Sequence, residues 1–157
     1  MNNHAYQCCL TIAGSDSGGN AGVQADLRTF HQYSVHGCTV FTAMTAQNPH
    51  GVSAILALPP EFIAQQLDAV LGLYAIKAAK TGMLPNADAV HAVASRLRQH
   101  PEIPLIIDPV MVATSGAELC GGNAQCAMCE ELFPIASLIT PNIPEAEVLC
   151  GTPIRNK

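Results

Sequence analysis

The sequence predicts an α/β fold built on a mainly parallel central sheet. Apolar segments of strand length alternate along the chain with segments whose apolar residues recur at helical spacing. One strand segment, Pro104–Pro109, is so continuously apolar that neither of its faces is expected to be wet. Short polar motifs follow the predicted strands at their carboxyl ends, where ligands bind in open α/β sheets.

The first half of the chain predicts three strands and two helices. An apolar strand, Cys8–Ala13, runs into a glycine-containing loop and then into a helix. The β-branched segment Gly37–Ala43 is a strand, and Val52–Leu58 is a short strand stopped by two prolines. Glu61–Leu73 has helical spacing. The expected apolar faces of the two helices are Val23, Leu27, Phe30 and Tyr33 in the first, and Phe62, Ile63, Leu67, Val70 and Leu71 in the second.

The second half continues the alternation. The strands are Ala75–Ala79, Pro104–Pro109 and Ser137–Thr140. Asn86 can cap the helix Ala87–Arg98, because an asparagine side chain accepts hydrogen bonds from the first helical turn. A weaker helix is expected over Asn123–Phe133, and Pro144 begins the last helix at a favoured first-turn position. The inward residues of the capped helix are expected to be Val90, Val93, Ala94 and Leu97.

The composition favours one globular domain over residues 1–157, since 49% of the residues are hydrophobic and 12% are charged. The net charge of -5 gives no basic surface for nucleic acid. We expect no membrane partner, because no apolar run is long enough to span a bilayer. Seven cysteines without a secretion signal favour reduced thiols and a cytoplasmic location.

The segment Thr11–Leu27 is the most informative part of the chain. It holds four glycines, Gly14, Gly18, Gly19 and Gly22, between the first strand and the first helix. Such a loop allows backbone to approach a bound molecule closely, and the helix N-terminus favours an anionic or polar ligand. It matches neither a P-loop nor a dinucleotide-binding fingerprint. From glycine content alone, an ordinary turn is an equally good interpretation.

The cysteines are weak evidence for a metal site. Cys126 and Cys129 have the spacing of half a zinc site, with Cys120 nearby. A single pair of this kind, with no histidines at ligand spacing, favours reduced thiols on a helix over bound zinc.

Six motifs together carry a family resemblance. They are Gly14-Ser15-Asp16-Ser17-Gly18-Gly19, Ala21–Leu27, Thr45-Ala46-Gln47-Asn48, Lys80–Leu84, Asp108–Val112 and Thr140–Ala146. In this order and spacing they resemble the hydroxymethylpyrimidine/phosphomethylpyrimidine kinases of thiamine synthesis, which are members of the ribokinase-like superfamily. The resemblance runs from about Cys9 to Leu149 and implies a three-layer ribokinase-like fold.

The resemblance implies an ATP-dependent kinase. Its substrate would be 4-amino-5-hydroxymethyl-2-methylpyrimidine and then the monophosphate of that compound, on the route to thiamine diphosphate. ATP and Mg²⁺ would be the cofactors, and a homodimer is compatible with the family.

The substrate-binding residues implied by the resemblance are Gly14, Ala21, Asp26, Gln47, Met83 and Val110. The Gln47 amide has both a donor and an acceptor, which suits the ring nitrogen and amino group of an aminopyrimidine. Met83 and Val110 would be apolar walls, whereas Gly14 and Ala21 would leave room for the ligand. Asp26 could accept a hydrogen bond from the ligand. The alternatives are a strand-end cap for Gln47, core packing for Met83 and Val110, and a solvated helix carboxylate for Asp26.

The resemblance also implies a metal and phosphate site. Asn142 and Glu145 would help to place Mg²⁺ through water, and Asp108 could join them. Alternatively, Glu145 is a first-turn carboxylate that stabilises the helix dipole.

The chain departs from the family pattern at several positions. Asn20 replaces a usual third glycine, and Thr114 and Ala117 replace a usual lysine and aspartate. Family members continue into a glycine-rich Gly-Thr-Gly-Cys anion hole that supplies the catalytic residue. We therefore expect residues 1–157 to be either an N-terminal fragment of such a kinase or a truncated product that keeps the substrate-binding rim, with no catalytic residue of their own and no activity alone. A pyridoxal kinase and a non-catalytic pyrimidine-binding protein are the alternative functions.

Overall fold

The structure is a computed structural model that describes residues 7–111 and 122–155. Within these residues, six strands form one sheet in the spatial order β3-β2-β1-β4-β5-β6. All neighbours are parallel except β2 and β3, which form an antiparallel pair. The predicted mainly parallel sheet is confirmed. The strands are β1 (Cys8–Asp16), β2 (His36–Asn48), β3 (Gly51–Ala57), β4 (Ile76–Thr81), β5 (Leu105–Ile107) and β6 (Leu138–Ile139).

Five α-helices connect or follow these strands in the described residues: α1 (Gly22–Gln32), α2 (Pro60–Leu71), α3 (Ala87–Leu97), α4 (Gly122–Ala127) and α5 (Ile143–Cys150). The helix predicted over Asn123–Phe133 is present but irregular, because α4 continues as a π-helical turn, Met128–Leu132, and then as a 3-10 turn, Phe133–Ile135. None of the helices in residues 7–111 and 122–155 has the length and apolar content needed to cross a bilayer.

Helices cover both faces of the sheet, which gives three layers. Leu10 and Ile12 of β1 are fully buried in the main core with residues of α2, α3 and α4. The residue between them, Thr11, points the other way and donates a hydrogen bond to Asp26 on α1. This alternation follows from the two-residue period of a strand. The inward residues predicted for α3 are confirmed, since all four are at most 5% exposed: Val90, Val93, Ala94 and Leu97.

The cap of α3 is where the local sequence predicts it, but two residues that were predicted to face inward are exposed. Asn86 caps α3 by accepting a hydrogen bond from the N–H of Ala89 at 2.9 Å. Tyr33 is 75% exposed because α1 ends at Gln32. Phe62, in the first turn of α2, is 48% exposed because Ile63 and the next turn make the core contact instead.

The polar motifs extend the strands. Gly14 lies within β1, not in the loop as predicted, at an irregularity in the pairing of β1 with β2 between Ala13 and Ser15. Beyond it, Ser15 and Asp16 still pair with β2. The chain order reverses at β1, since β2 and β4 flank it on opposite sides. Such a reversal opens a crevice beyond the carboxyl ends of the strands.

Candidate functional site

A cavity of about 650 Å³ lies in this crevice, at the carboxyl ends of β1, β2 and β4. This volume is within the range of about 300–1,000 Å³ that is usual for small-molecule sites. Seven of the nine predicted site residues line it: Gly14, Ala21, Asp26, Gln47, Met83, Asp108 and Val110. The structure therefore brings together residues from five of the six motifs.

Asp16 organises the loop that closes one side of the cavity. One of its carboxylate oxygens accepts a hydrogen bond from the N–H of Gly18, at 2.8 Å. The other accepts from the N–H groups of Asn20 and Ala21, at 2.8 and 2.9 Å. The residue is only 4% exposed. Both oxygens thus bind backbone, and Asp16 shapes the loop that places Ala21.

The first turn of α1 is fastened to the end of β1. Gln24 accepts a hydrogen bond from the N–H of Asp16 at 2.9 Å and donates one to the hydroxyl of Ser15 at 2.7 Å. Gly22 begins the helix with φ +57°, and a Cβ there would collide with the carbonyl oxygen of Gly14. Only glycine satisfies both the conformation and the close approach.

Met83 forms an apolar wall of the cavity. It is 7% exposed, and its carbonyl oxygen accepts a hydrogen bond from the buried hydroxyl of Thr42 at 2.6 Å. A Cβ on Gly14 would lie 2.8 Å from the Met83 methyl carbon. Because Gly14 has no side chain, the Met83 thioether can lie against the backbone of β1 at that position.

Gln47 is held at the end of β2 by its backbone. Its N–H donates to the hydroxyl of Ser17 and its carbonyl accepts from the same hydroxyl, both at 2.8 Å. Its side-chain oxygen lies 3.2 Å from the hydroxyl of Thr45, which also lies 2.8 Å from the Ser15 carbonyl. A hydroxyl has one proton, and the shorter contact takes it. The Gln47 amide therefore has only a weak side-chain partner and faces the cavity.

Three charged side chains meet on the cavity wall. The Lys80 ammonium lies 3.2 and 3.3 Å from the two carboxylate oxygens of Asp26 and 3.3 Å from Oδ2 of Asp108. Thr11 also donates to Asp26, at 2.6 Å. The Asp26 side chain is only 17% exposed and has both Lys80 and Thr11 as partners. Asp26 is therefore not a solvated helix carboxylate.

Sequence analysis did not single out Lys80 as a site residue. The signal that could have found it is a lysine at the carboxyl end of a strand, beside the buried residues Ala79 and Thr81. A charged residue in such a place needs a partner of opposite charge.

Asn142 and Glu145 lie apart from this cavity, at the N-terminus of α5. The Asn142 side chain accepts a hydrogen bond from the N–H of Glu145, and the Glu145 carboxylate accepts one from the N–H of Asn142, both at 2.9 Å. This reciprocal arrangement is a capping box. The helix-end interpretation of Glu145 thus accounts for its contacts here, while its part in placing an ion stays a prediction.

The cysteine pair does not form a recognisable metal site in the part of the chain that the structure describes. Cys126 and Cys129 are both exposed, and they are not joined in a disulfide. No group of three or more histidine, cysteine or acidic side chains in residues 7–111 and 122–155 could hold a metal ion. Cys120, Thr114 and Ala117 lie outside the described residues.

A family profile and the curated relatives of this chain indicate the same family of kinases. The sequence profile of the phosphomethylpyrimidine kinase family matches residues 16–157. The hydroxymethylpyrimidine/phosphomethylpyrimidine kinase of Haemophilus influenzae is 50% identical over 92% of this chain and 54% of its own length. The Escherichia coli enzyme of the same name is 45% identical, with the same two coverages. The chain thus spans about half the length of these curated relatives.

Solved structures give the same fold. The phosphomethylpyrimidine kinase of Clostridium difficile superposes with a TM-score of 0.89 at 41% identity, over 96% of this chain and 65% of that one. Bacillus subtilis pyridoxal kinase, solved as an ADP complex, superposes with a TM-score of 0.85 at 34% identity, over 98% of this chain and 57% of that one.

Proposed function

Because the chain belongs to the phosphomethylpyrimidine kinase family, we propose that it carries the substrate-binding part of a hydroxymethylpyrimidine/phosphomethylpyrimidine kinase. The protein that contains it phosphorylates 4-amino-5-hydroxymethyl-2-methylpyrimidine and then the resulting monophosphate, with ATP as the phosphoryl donor, in thiamine diphosphate biosynthesis. We assign no catalytic residue within residues 7–111 and 122–155. A cytoplasmic location and a homodimer belong to the same proposal.

The observation that carries the proposal is the meeting of Gln47, Met83 and Asp26 on one cavity. An aminopyrimidine has an apolar ring face and an edge with both hydrogen-bond donors and acceptors. Met83 offers a soft apolar surface to the flat ring, and Gln47 offers an amide that can both donate and accept. The paired Asp26 carboxylate adds an acceptor for an amino or hydroxyl group.

Asp108 on the cavity wall, together with Asn142 and Glu145 at α5, offers oxygen atoms that suit Mg²⁺ and phosphate. Mg²⁺ prefers oxygen ligands, keeps several waters and commonly uses one or two carboxylates together with substrate phosphates. Asp108 and Glu145 supply such oxygens, and Asn142 supplies an amide oxygen. When bound, the ion would neutralise charge on the transferred phosphoryl group.

A pyridoxal kinase is the second candidate, supported by the likeness to the B. subtilis enzyme and to Staphylococcus aureus pyridoxal kinase solved with pyridoxal. The identities favour the pyrimidine kinase, since the curated relatives of that name are 45–50% identical, against 31–34% for the pyridoxal kinases. A non-catalytic pyrimidine-binding protein is the third candidate. It differs from both kinases in binding the ring without turnover.

The test is a calorimetric titration of the purified chain with the aminopyrimidine and, in parallel, with pyridoxal. Tighter binding of the aminopyrimidine supports the proposal, and tighter binding of pyridoxal supports the second candidate. ATP-dependent formation of the pyrimidine monophosphate by the protein that contains this chain then separates a kinase from a binding protein. Failure of the chain to bind either ring would contradict both kinase assignments.

A further inference from the structure

One ammonium group joins two carboxylates on the wall of the cavity. Lys80 lies on β4 directly beside Thr11 of β1, on the sheet face that α1 covers. From there its ammonium contacts Asp26 on α1 and Asp108 after β5. The lysine therefore links three separate elements, and the two carboxylates that it joins both line the cavity.

Lys80 itself lines the cavity, and its ammonium group makes its close contacts with these two carboxylates. An ammonium group has three donors and no acceptor. Three carboxylate oxygens lie 3.2–3.3 Å from Nζ: two belong to Asp26 and one to Asp108. Nζ is hydrogen-bonded to both Asp26 oxygens and forms an ion pair with Asp108, so the fixed partners of Lys80 are the two carboxylates and its strongest contacts are with Asp26.

The backbone near Lys80 makes room for this arrangement. A Cβ on Gly82 would lie 3.3 Å from the Lys80 ammonium and 3.0 Å from the Cβ of Ala13, closer than side chains normally approach. Glycine at position 82 thus leaves space for the Lys80 ammonium group over the end of β4.

We infer that Lys80 is a positioning residue for substrate recognition: it holds Asp26 in the orientation in which that carboxylate accepts a hydrogen bond from the ring substrate. The inference rests on the proposed function and extends it to a residue whose effect on binding passes through Asp26. Without Lys80, two negative side chains would share this wall with no cation between them. Asp26 would then keep only the Thr11 hydroxyl as a fixed partner.

The first experiment compares Lys80→Met, Lys80→Arg and Lys77→Met by calorimetric titration with the aminopyrimidine. Lys77 is the matched control, because it is an exposed lysine on the same strand. We expect Lys80→Met to weaken binding on the order of tenfold, as is usual for groups coupled in one network. Lys80→Arg keeps the positive charge and should bind more tightly than Lys80→Met. Lys77→Met should bind like the unaltered chain.

The second experiment is a double-mutant cycle with Asp26→Asn. If Lys80 acts through Asp26, Lys80→Met has no further effect on binding once Asp26 has been replaced. If Lys80 contacts the ligand itself, the two losses multiply, and that result overturns the inference. Thermal unfolding of each variant shows that it is folded; we expect small shifts, since partly exposed ion pairs contribute little to stability.

The outcomes separate this inference from the proposed function. Binding by the unaltered chain together with equal binding by Lys80→Met overturns the inference and leaves the proposed function standing. If Lys80→Met and Lys80→Arg weaken aminopyrimidine binding equally, the effect is due to packing and not to charge, and this result also overturns the inference. Absence of aminopyrimidine binding by the unaltered, folded chain contradicts the proposed function, and this inference falls with it.

Discussion

The two parts of the candidate site are built in different ways. At the cavity, the contacts join residues far apart in sequence: Ser17 with Gln47, 30 residues away, and Lys80 with Asp26, 54 residues away. At the N-terminus of α5, Asn142 and Glu145 are three residues apart and satisfy each other. The proposed ring-binding side is thus shaped by contacts between distant parts of the sheet, and the proposed ion-binding residues of α5 by one short segment.

Burial follows the same division. Every residue of β1 from Leu10 to Asp16 is buried, because the strand has neighbours on both sides and helices on both faces. In contrast, β6 has two residues, and Glu145 is the one buried residue of α5. The proposed ring-binding side is therefore held by a buried strand and by contacts between distant residues. Changes to the groups that hold the loop and strand ends there should alter both stability and binding, whereas changes at α5 should leave ring binding unaltered.

The largest effect is expected for Gly22→Ala. The left-handed conformation costs a non-glycine residue about 1–2 kcal/mol. The collision with the Gly14 carbonyl oxygen adds to this, so the loss of unfolding free energy should exceed that range. Gly151→Ala at the end of α5 is the control, since φ is +66° there with nothing within 4 Å of the added Cβ. Equal losses in urea unfolding of the two variants would contradict the close approach at Gly22.

Asp16→Ala should come next. It removes the acceptor of three backbone N–H groups, each of which needs a partner, and should cost about 1–3 kcal/mol in unfolding free energy. Aminopyrimidine affinity should fall as well, because the loop that carries Ala21 loses its anchor. Asp88→Ala, at an exposed site in the first turn of α3, should cost only some tenths of a kcal/mol. Thermal unfolding and calorimetry of both variants measure the difference.

Gln47→Ala should separate binding from stability. We expect a loss of about 1–3 kcal/mol in aminopyrimidine binding, because the polar groups of the ring are left unpaired. Stability should change little, since the fixed contacts of Gln47 are those of its backbone. Gln66→Ala should lower stability and leave aminopyrimidine affinity unchanged, because its amide is hydrogen-bonded to the N–H and carbonyl of Phe41 on β2, away from the cavity. Unchanged affinity in the Gln47 variant would remove this residue from the binding site.

The smallest effect on ring binding is expected at α5. Asn142→Ala removes the helix cap and should cost about 0.5–2 kcal/mol in unfolding free energy, with ring binding unchanged. Glu145→Gln keeps an oxygen that can accept from the N–H of Asn142, so its stability should be close to that of the unaltered chain. In the protein that contains this chain, it should lower the rate of phosphoryl transfer more than the pyrimidine affinity. A loss confined to stability would leave Glu145 with the capping role alone.

Local features were predicted well from the sequence. The alternation of strands and helices, the Asn86 cap and the start of α5 near Pro144 depend on residues a few positions apart, and the structure confirms them. The convergence of seven site residues could also be expected, because the carboxyl ends of parallel strands share one edge of the sheet. The irregular end of α4 and the exposure of Tyr33 were missed, since both depend on where a helix stops.

By itself, the sequence determined the fold class, the order of the elements and the edge of the sheet at which the candidate site lies, because periodicity, caps and strand-end motifs act over short stretches of chain. Only the tertiary structure decided which polar groups partner one another. Asp16 turned out to organise a loop, Gly14 to accommodate Met83, and Lys80 to join two carboxylates from different elements. The physical reason is that partners 30 or 54 residues apart meet only when strand order and register bring them together, and no short stretch of sequence encodes that register.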